Sequence, residues 1–318
     1  MTPQEESTEA VAKYCTQCGH QQSSPFANFC VSCGAPVGPA TQPALKSPFE
    51  SFRSRWFLLI LIVGVAAGAI GSVIWGNDIG GYLLQAVLAI WALGVIASNK
   101  ISVRGLTGHV PSGYNWWPLV LMAIAAVVYS LGTLPVVWYP LAQWAPDLVE
   151  RFLSEPVAGS RPHFFVSAVV LAPLIEETIF RGLLFSRLTK KWGMTRAMIV
   201  SSVLFGLLHP DPVGKFVFGI VACVLYVHTQ TLILPIALHS LHNAIIFALT
   251  FFETEGGLTY SSPAYWEQFT YQGLVAMLVA SPVVFMLLGR WWPSRGAQLP
   301  YEANRRPPKQ PSPSPGSP

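Results

Sequence analysis

Charged residues are scarce in this chain of 318 residues: Asp, Glu, Lys and Arg make up 11% of it and hydrophobic residues 52%, where an average soluble protein is roughly 25% charged. The shortage excludes an ordinary soluble domain and implies a chain built for a bilayer. The 19 basic and 15 acidic residues leave a net charge of +4. No dense basic cluster occurs, which argues against nucleic acid as a partner. The signatures G-x-S-x-G and H-E-x-x-H are both missing, so neither a serine nucleophile nor a helix-borne zinc pair has its usual local mark. Residues 1–55 contain no apolar run; a secretory signal is not expected, and this leading segment is expected to stay in the cytosol.

Cysteine is rare too, and four of the five stand together near the start as Cys15-x2-Cys18 and Cys30-x2-Cys33. Two short turns, each presenting a pair of thiolates and followed by Gly19 or Gly34, have zinc-knuckle spacing. A reducing cytosol disfavours the alternative of two disulfides. Four thiolates close the coordination shell, so the expected Zn2+ is structural and the ribbon a docking module for a cytosolic protein partner. Cys223, alone in an apolar run, reads as a small core residue. The expected organisation is a tail over 1–13, a zinc ribbon over 14–36, a linker over 37–52, a membrane domain over 53–292, and a disordered Pro-rich tail over 293–318 with eight prolines.

Eight apolar runs, near 56–75, 79–98, 116–139, 163–188, 197–209, 213–228, 231–252 and 271–292, are long enough to cross or nearly cross a hydrocarbon core that needs about 20 helical residues. The expected fold is therefore an all-α polytopic membrane protein of about eight transmembrane helices with a small amino-terminal zinc ribbon. With the amino terminus inside, fifteen of the 19 Lys and Arg residues fall on inner segments, and Arg151, Arg161 and Lys215 on outer ones. That bias predicts a multi-pass protein, of the plasma membrane, with both termini cytoplasmic. Trp56, Trp75, Trp116, Trp117, Trp138, Trp192, Trp291 and Trp292 read as interfacial anchors among the lipid. His209-Pro210-Asp211-Pro212 joins the two shortest runs, and irregular backbone at that depth must be buried in protein or line a wet cavity.

The fourth run is anomalous, because Glu176, Glu177 and Arg181 interrupt it, and each charge costs about 2.5–3.5 kcal/mol at a helix centre on insertion scales. Glu177 and Arg181 are spaced i,i+4 in the favourable order and read as an internal ion pair. Glu176 lies about 100° round the helix, outside that pair and just after Pro173, which frees a backbone carbonyl. A lone intramembrane carboxylate is a functional candidate. The fifth run ends in Phe205-x3-His209, and the seventh carries His239-x3-Asn243, an i,i+4 pair on one helical face, with His242 beside it. At about 1.5 Å per residue, Glu176, His209 and His239 lie roughly 16, 18 and 12 Å from their inner helix ends, at similar depth.

Glu176-Glu177-x3-Arg181, Phe205-x3-His209 and His239-x3-Asn243, in this order on successive membrane segments, resemble the CaaX prenyl endopeptidase and bacteriocin-processing family (CPBP, or Abi) of intramembrane proteases. The resemblance covers about residues 160–250. It implies a fold of about eight membrane helices enclosing a hydrophilic cavity, and proteolysis of membrane-associated peptide or protein substrates. The amino-terminal ribbon lies outside the family pattern. Read as chemistry, Glu176 suits a general base, His209 orients or deprotonates the water, and His239 and Asn243 cradle the oxyanion. One carboxylate and two histidines are also zinc ligands, which leaves an active-site metal as the alternative to a glutamate mechanism. Ser240 is the nearest serine and has no base on its own face. The competing classes are a proton- or ion-coupled transporter, for which no second acidic half is visible, and a non-catalytic scaffold with a docking ribbon.

Overall fold

The computed structural model describes residues 32, 47–153, 161–249, 263–294 and 296–305. The ribbon cysteines Cys15, Cys18, Cys30 and Cys33 lie outside them. The chain divides into two units, 1–47 and 48–318, and the second contains the helices.

Eight longer helices make up this unit among the described residues: α1 (Trp56–Trp75), α2 (Asn77–Ser98), α3 (Trp117–Trp144), α4 (Pro162–Trp192), α5 (Met194–Leu207), α6 (Pro212–Thr229), α7 (Ile233–Leu249) and α8 (Pro263–Trp291). They coincide with the eight apolar runs. Six of them, α1, α2, α3, α4, α6 and α8, are long and apolar enough to cross a membrane; α5 and α7 are shorter. No strand occurs among the described residues. The described residues are thus all-helical and the chain a multi-pass membrane protein, with six candidate spans among them where the sequence suggested about eight.

Burial separates the helices into two kinds. Helix α6 is buried along most of its length, with Phe218, Cys223, Leu225 and Tyr226 inside, whereas Leu58 and Ile62 on α1, Leu93 on α2 and Leu278 and Phe285 on α8 face outward. Apolar outward faces are what hydrocarbon requires. Without a hydrophobic drive between helices, close packing relies on small residues. Gly132 of α3 and Gly273 of α8 are such a pair: a Cβ at 132 would lie 2.6 Å from the Gly273 carbonyl oxygen.

The connections predicted to lie inside do share one end of the bundle. There Arg187 donates to the carbonyls of Phe49 and Glu50 (2.8 and 3.0 Å), Lys190 pairs with Glu302, His228 stacks on Trp291, and the Leu232 N–H reaches the Thr107 carbonyl (2.9 Å).

Three expectations need correction. The carboxyl-terminal segment is not disordered from 293, because Pro300–Arg305 is a helix with Tyr301 buried. Tyr301 sits edge-on to Phe49 (5.0 Å) and its hydroxyl accepts the Ser102 N–H (3.1 Å), while Asn304 donates to the carbonyls of Gly105 and Gln230. One aromatic anchor outweighs the proline count. The linker likewise ends early, at 47, since Phe49 and Phe52 belong to the core. Trp138 is not an interfacial anchor: it is buried, and its indole donates to the Pro210 carbonyl (2.7 Å).

Candidate active site

Helix α4 is not a uniform α-helix. Two π-helical stretches, Phe165–Leu171 and Thr178–Phe185, flank a short α-helical piece, Ala172–Glu177. Such widened turns are rare and frequent at functional sites. In the first, the Ala172 N–H bonds to the Ser167 carbonyl, five residues back. The next partner in that register would be Pro173 for Ala168, and proline has no N–H to give. The side-chain amide of Asn243, from α7, donates to the Ala168 carbonyl instead (2.7 Å). Gln85 of α2 adds bonds to the Ser167 carbonyl and hydroxyl (3.1 and 2.9 Å). The carbonyl released by Pro173 is thus satisfied from a neighbouring helix, as a low-dielectric interior demands.

Glu177 and Arg181 are both fully buried and paired, Nη1 to Oε1 at 2.7 Å. The guanidinium lies 4.4 Å from the Phe205 ring centroid, a cation–π contact that helps an otherwise costly buried charge. The pair does more than brace the helix. Glu177 Oε1 also lies 2.9 Å from His239 Nδ1. A carboxylate accepts, so Nδ1 of His239 carries the hydrogen and Nε2 turns its lone pair the other way, to a point 4.0 Å from Glu176 Oε2.

His209 reaches the same oxygen from the turn after α5. Its Nδ1 lies 2.7 Å from the Phe205 carbonyl, which can only accept, so Nε2 is again the free nitrogen and stands 3.7 Å from Glu176 Oε2. The turn that carries it is tied to α3. Asp211 Oδ1 accepts from Thr133 Oγ1 (2.8 Å) and from the Gly214 N–H (2.9 Å), capping α6, and Trp138 holds the Pro210 carbonyl. Sequence reading passed over Thr133, Trp138 and Asp211 as site elements. An Asp before a Pro at the first helical position is a recognisable cap, whereas nothing local marks Thr133 or Trp138.

The structure therefore brings together Glu176, Glu177 and Arg181 of α4, His239 of α7 and His209 of the turn after α5. Asn243 shares a face of α7 with His239 but ends on α4, with one amide hydrogen committed there and one left over. Ser240 forms no hydrogen bond to this group among the described residues. The two Nε2 atoms and Oε2 are zinc-type donors, yet a tetrahedral ion with ligands at about 2.0–2.2 Å sets them about 3.3–3.6 Å apart. Their 3.7 and 4.0 Å separations from Oε2 are wider, and among the described residues no three His, Cys, Asp or Glu are placed to hold a metal ion. Shifts of about 0.1 and 0.4 Å would bring them to zinc spacing, so the donor set is compatible with either a glutamate or a metal mechanism. Separations of this size also admit a water hydrogen-bonded between nitrogen and carboxylate.

Residues 159–245 match the family model described as Type II CAAX prenyl endopeptidase Rce1-like. Every site residue named above on α4, α5 and α7 falls inside that segment. The chain is 30% identical over 88 residues to the "Putative membrane peptidase YdiL" of Bacillus subtilis (strain 168), covering 27% of this chain and 36% of that protein. It is 34% identical over 100 residues to the "Membrane-embedded CAAX protease MroQ" of Staphylococcus aureus (strain USA300), covering 28% and 40%. The chain thus spans well under half the length of these curated relatives. No solved structure matches it significantly.

Proposed function

We propose that the chain is an intramembrane endopeptidase that hydrolyses peptide bonds of membrane-associated substrates, by CaaX-type processing or by maturation of leader-bearing peptides. The observation that carries this reading is the convergence of two Nε2 atoms, from the turn after α5 and from α7, on Glu176 Oε2 of α4, inside the segment that matches the protease family. Glu176 removes a proton from a water held against His209 Nε2, and the oxygen attacks the scissile carbonyl. His239, with its Nδ1–H committed to Glu177, takes that proton from Glu176 at Nε2 and donates through it to the oxyanion, and the Glu177 carboxylate stabilises the cation as it forms. The second amide hydrogen of Asn243 is the other donor. The proton taken from water leaves on the departing amine.

Replacing Glu176 with Gln, nearly isosteric, removes the base. Turnover of a membrane peptide by the purified protein is expected to fall about 10²- to 10⁴-fold with yield and melting temperature nearly unchanged. Comparing membrane peptides in cells carrying the wild-type and Glu176→Gln chains would name the substrate. Near-wild-type turnover in the variant overturns the assignment.

The leading unit belongs to the same proposal: Cys15, Cys18, Cys30 and Cys33 hold one structural Zn2+, and the ribbon docks a cytosolic protein. The spacing of the two pairs supports this.

A further inference from the structure

The chain turns from α4 into α5 at Gly193, and four cations flank that elbow: Arg187, Lys190, Lys191 and Arg196. The protein itself uses two of them. Arg187 is taken up by the carbonyls of Phe49 and Glu50, and Lys190 by the carboxylate of Glu302. Lys191 and Arg196 are exposed and have no carboxylate within 4.0 Å among the described residues. Lys191 is nevertheless placed, because its Nζ stands 4.9 Å from the centroid of the Trp192 ring, inside the range of a cation–π contact.

Trp192 and Arg196, with Ile199 and Val200, line an open cavity of about 330 Å³. Ligand pockets run from about 300 to 1,000 Å³. One rim of this cavity is cationic and the rest is apolar. The apolar side continues along α5. Ala197, Met198 and Phe205 are buried against the bundle, whereas Arg196, Ile199, Val203 and Leu207 are exposed, at the spacing i, i+3, i+7, i+11 that keeps to one helical face. From Arg196 to Leu207 the stripe runs about 16 Å at 1.5 Å per residue. That is close to half of a hydrocarbon core of roughly 30 Å, the depth of one leaflet.

The ligand that fits is an amphiphile with an anionic head. A soluble anion would satisfy the two cations and leave the apolar stripe unmatched. A zwitterionic lipid brings an ammonium group of its own toward Lys191 and Arg196, and a net-negative headgroup does not. A guanidinium presents parallel N–H donors to a phosphate, and basic pockets between helices at the cytoplasmic side suit lipid headgroups. We propose that the elbow between α4 and α5 binds an anionic phospholipid, with Arg196 and Lys191 on the headgroup phosphate and one acyl chain along Ile199, Val203 and Leu207. This site is independent of the protease reading.

Native mass spectrometry of the full-length chain in detergent, titrated with dioleoyl phosphatidylglycerol or dioleoyl phosphatidylcholine, tests it. Phosphatidylglycerol is expected to fill its first site at least about tenfold more tightly. The preference should vanish in Lys191→Gln/Arg196→Gln. It should persist in Arg53→Gln/Arg290→Gln, a control that removes two exposed cations outside the cavity lining. Ile199→Trp keeps both charges and fills the cavity, and should weaken phosphatidylglycerol binding by about the same factor. Should the first double variant fail to fold, Arg196→Gln alone carries the comparison. Equal binding of the two lipids, or a preference that survives loss of both cations, overturns the site. Equal loss in the control reduces the effect to the general charge of that surface and overturns it as well. Competition by glycerophosphoglycerol, the headgroup without acyl chains, marks a site for free anions and overturns the lipid. Unchanged binding in Ile199→Trp overturns the acyl track.

Discussion

Glu176 and Glu177 are adjacent in the chain and opposite in surroundings. Glu177 is fully buried, bonded to Arg181 and to His239; Glu176 is a quarter exposed, with two imidazole nitrogens opposite one oxygen. The difference follows from about 100° of helical rotation, which turns one carboxylate into the packed interior and the other toward the space between α4, α5 and α7. Glu177→Gln leaves Arg181 without its counter-ion, and breaking a buried pair typically costs about 3–5 kcal/mol. Lower folded yield and a lower melting temperature in detergent are the expected result. Turnover per folded molecule should fall as well, since a neutral amide no longer stabilises His239 as a cation. A Glu177→Gln chain that melts like wild type would show that the pair carries no stability.

At the scale of elements, α4 depends on a neighbour to remain well bonded. Pro173 removes the N–H that would serve the Ala168 carbonyl in π register, and Asn243 supplies one from α7. Asn243→Ala should therefore cost about 1–3 kcal/mol through the unpaired carbonyl, in addition to its catalytic loss. Pro173→Ala returns a backbone donor. In the Pro173→Ala background, Asn243→Ala is expected to cost little stability and to remain poorly active, a separation that a double-mutant cycle of melting and turnover measures. If the stability loss is the same in both backgrounds, the amide does not serve the carbonyl that Pro173 frees.

For the whole molecule, the segments richest in Lys and Arg gather at one end of the bundle, and the short helix Pro300–Arg305 is bonded to that end through Asn304. The bias predicts that this end is cytosolic. A reporter active only outside the cytosol, fused to the carboxyl terminus, should give no signal; a strong signal would reverse the topology. The amino-terminal unit has its own prediction. Removing residues 1–40 should abolish one equivalent of bound zinc while cleavage of a detergent-solubilised substrate persists. Full zinc content after that deletion would move the metal to the membrane site and with it the mechanism.

Much of this protein is set by local sequence physics. The eight helices follow from apolar runs, because the cost of unbonded backbone in hydrocarbon leaves a long apolar segment little choice but a helix. The polar candidates were equally legible, since Glu176, Glu177, Arg181, His209, His239 and Asn243 stand out wherever charge and imidazole are expensive. Which atoms of these residues meet was not legible. The tie from His239 to Glu177, the grip of Thr133 and Trp138 on the turn after His209, the burial of Tyr301 and the bond from Lys215 to His242 all join positions far apart in the chain. Periodicity reports the face a residue occupies on its own helix. Its partner is decided by how neighbouring helices cross and how closely small residues such as Gly132 and Gly273 let them approach, and only the packed bundle contains that information.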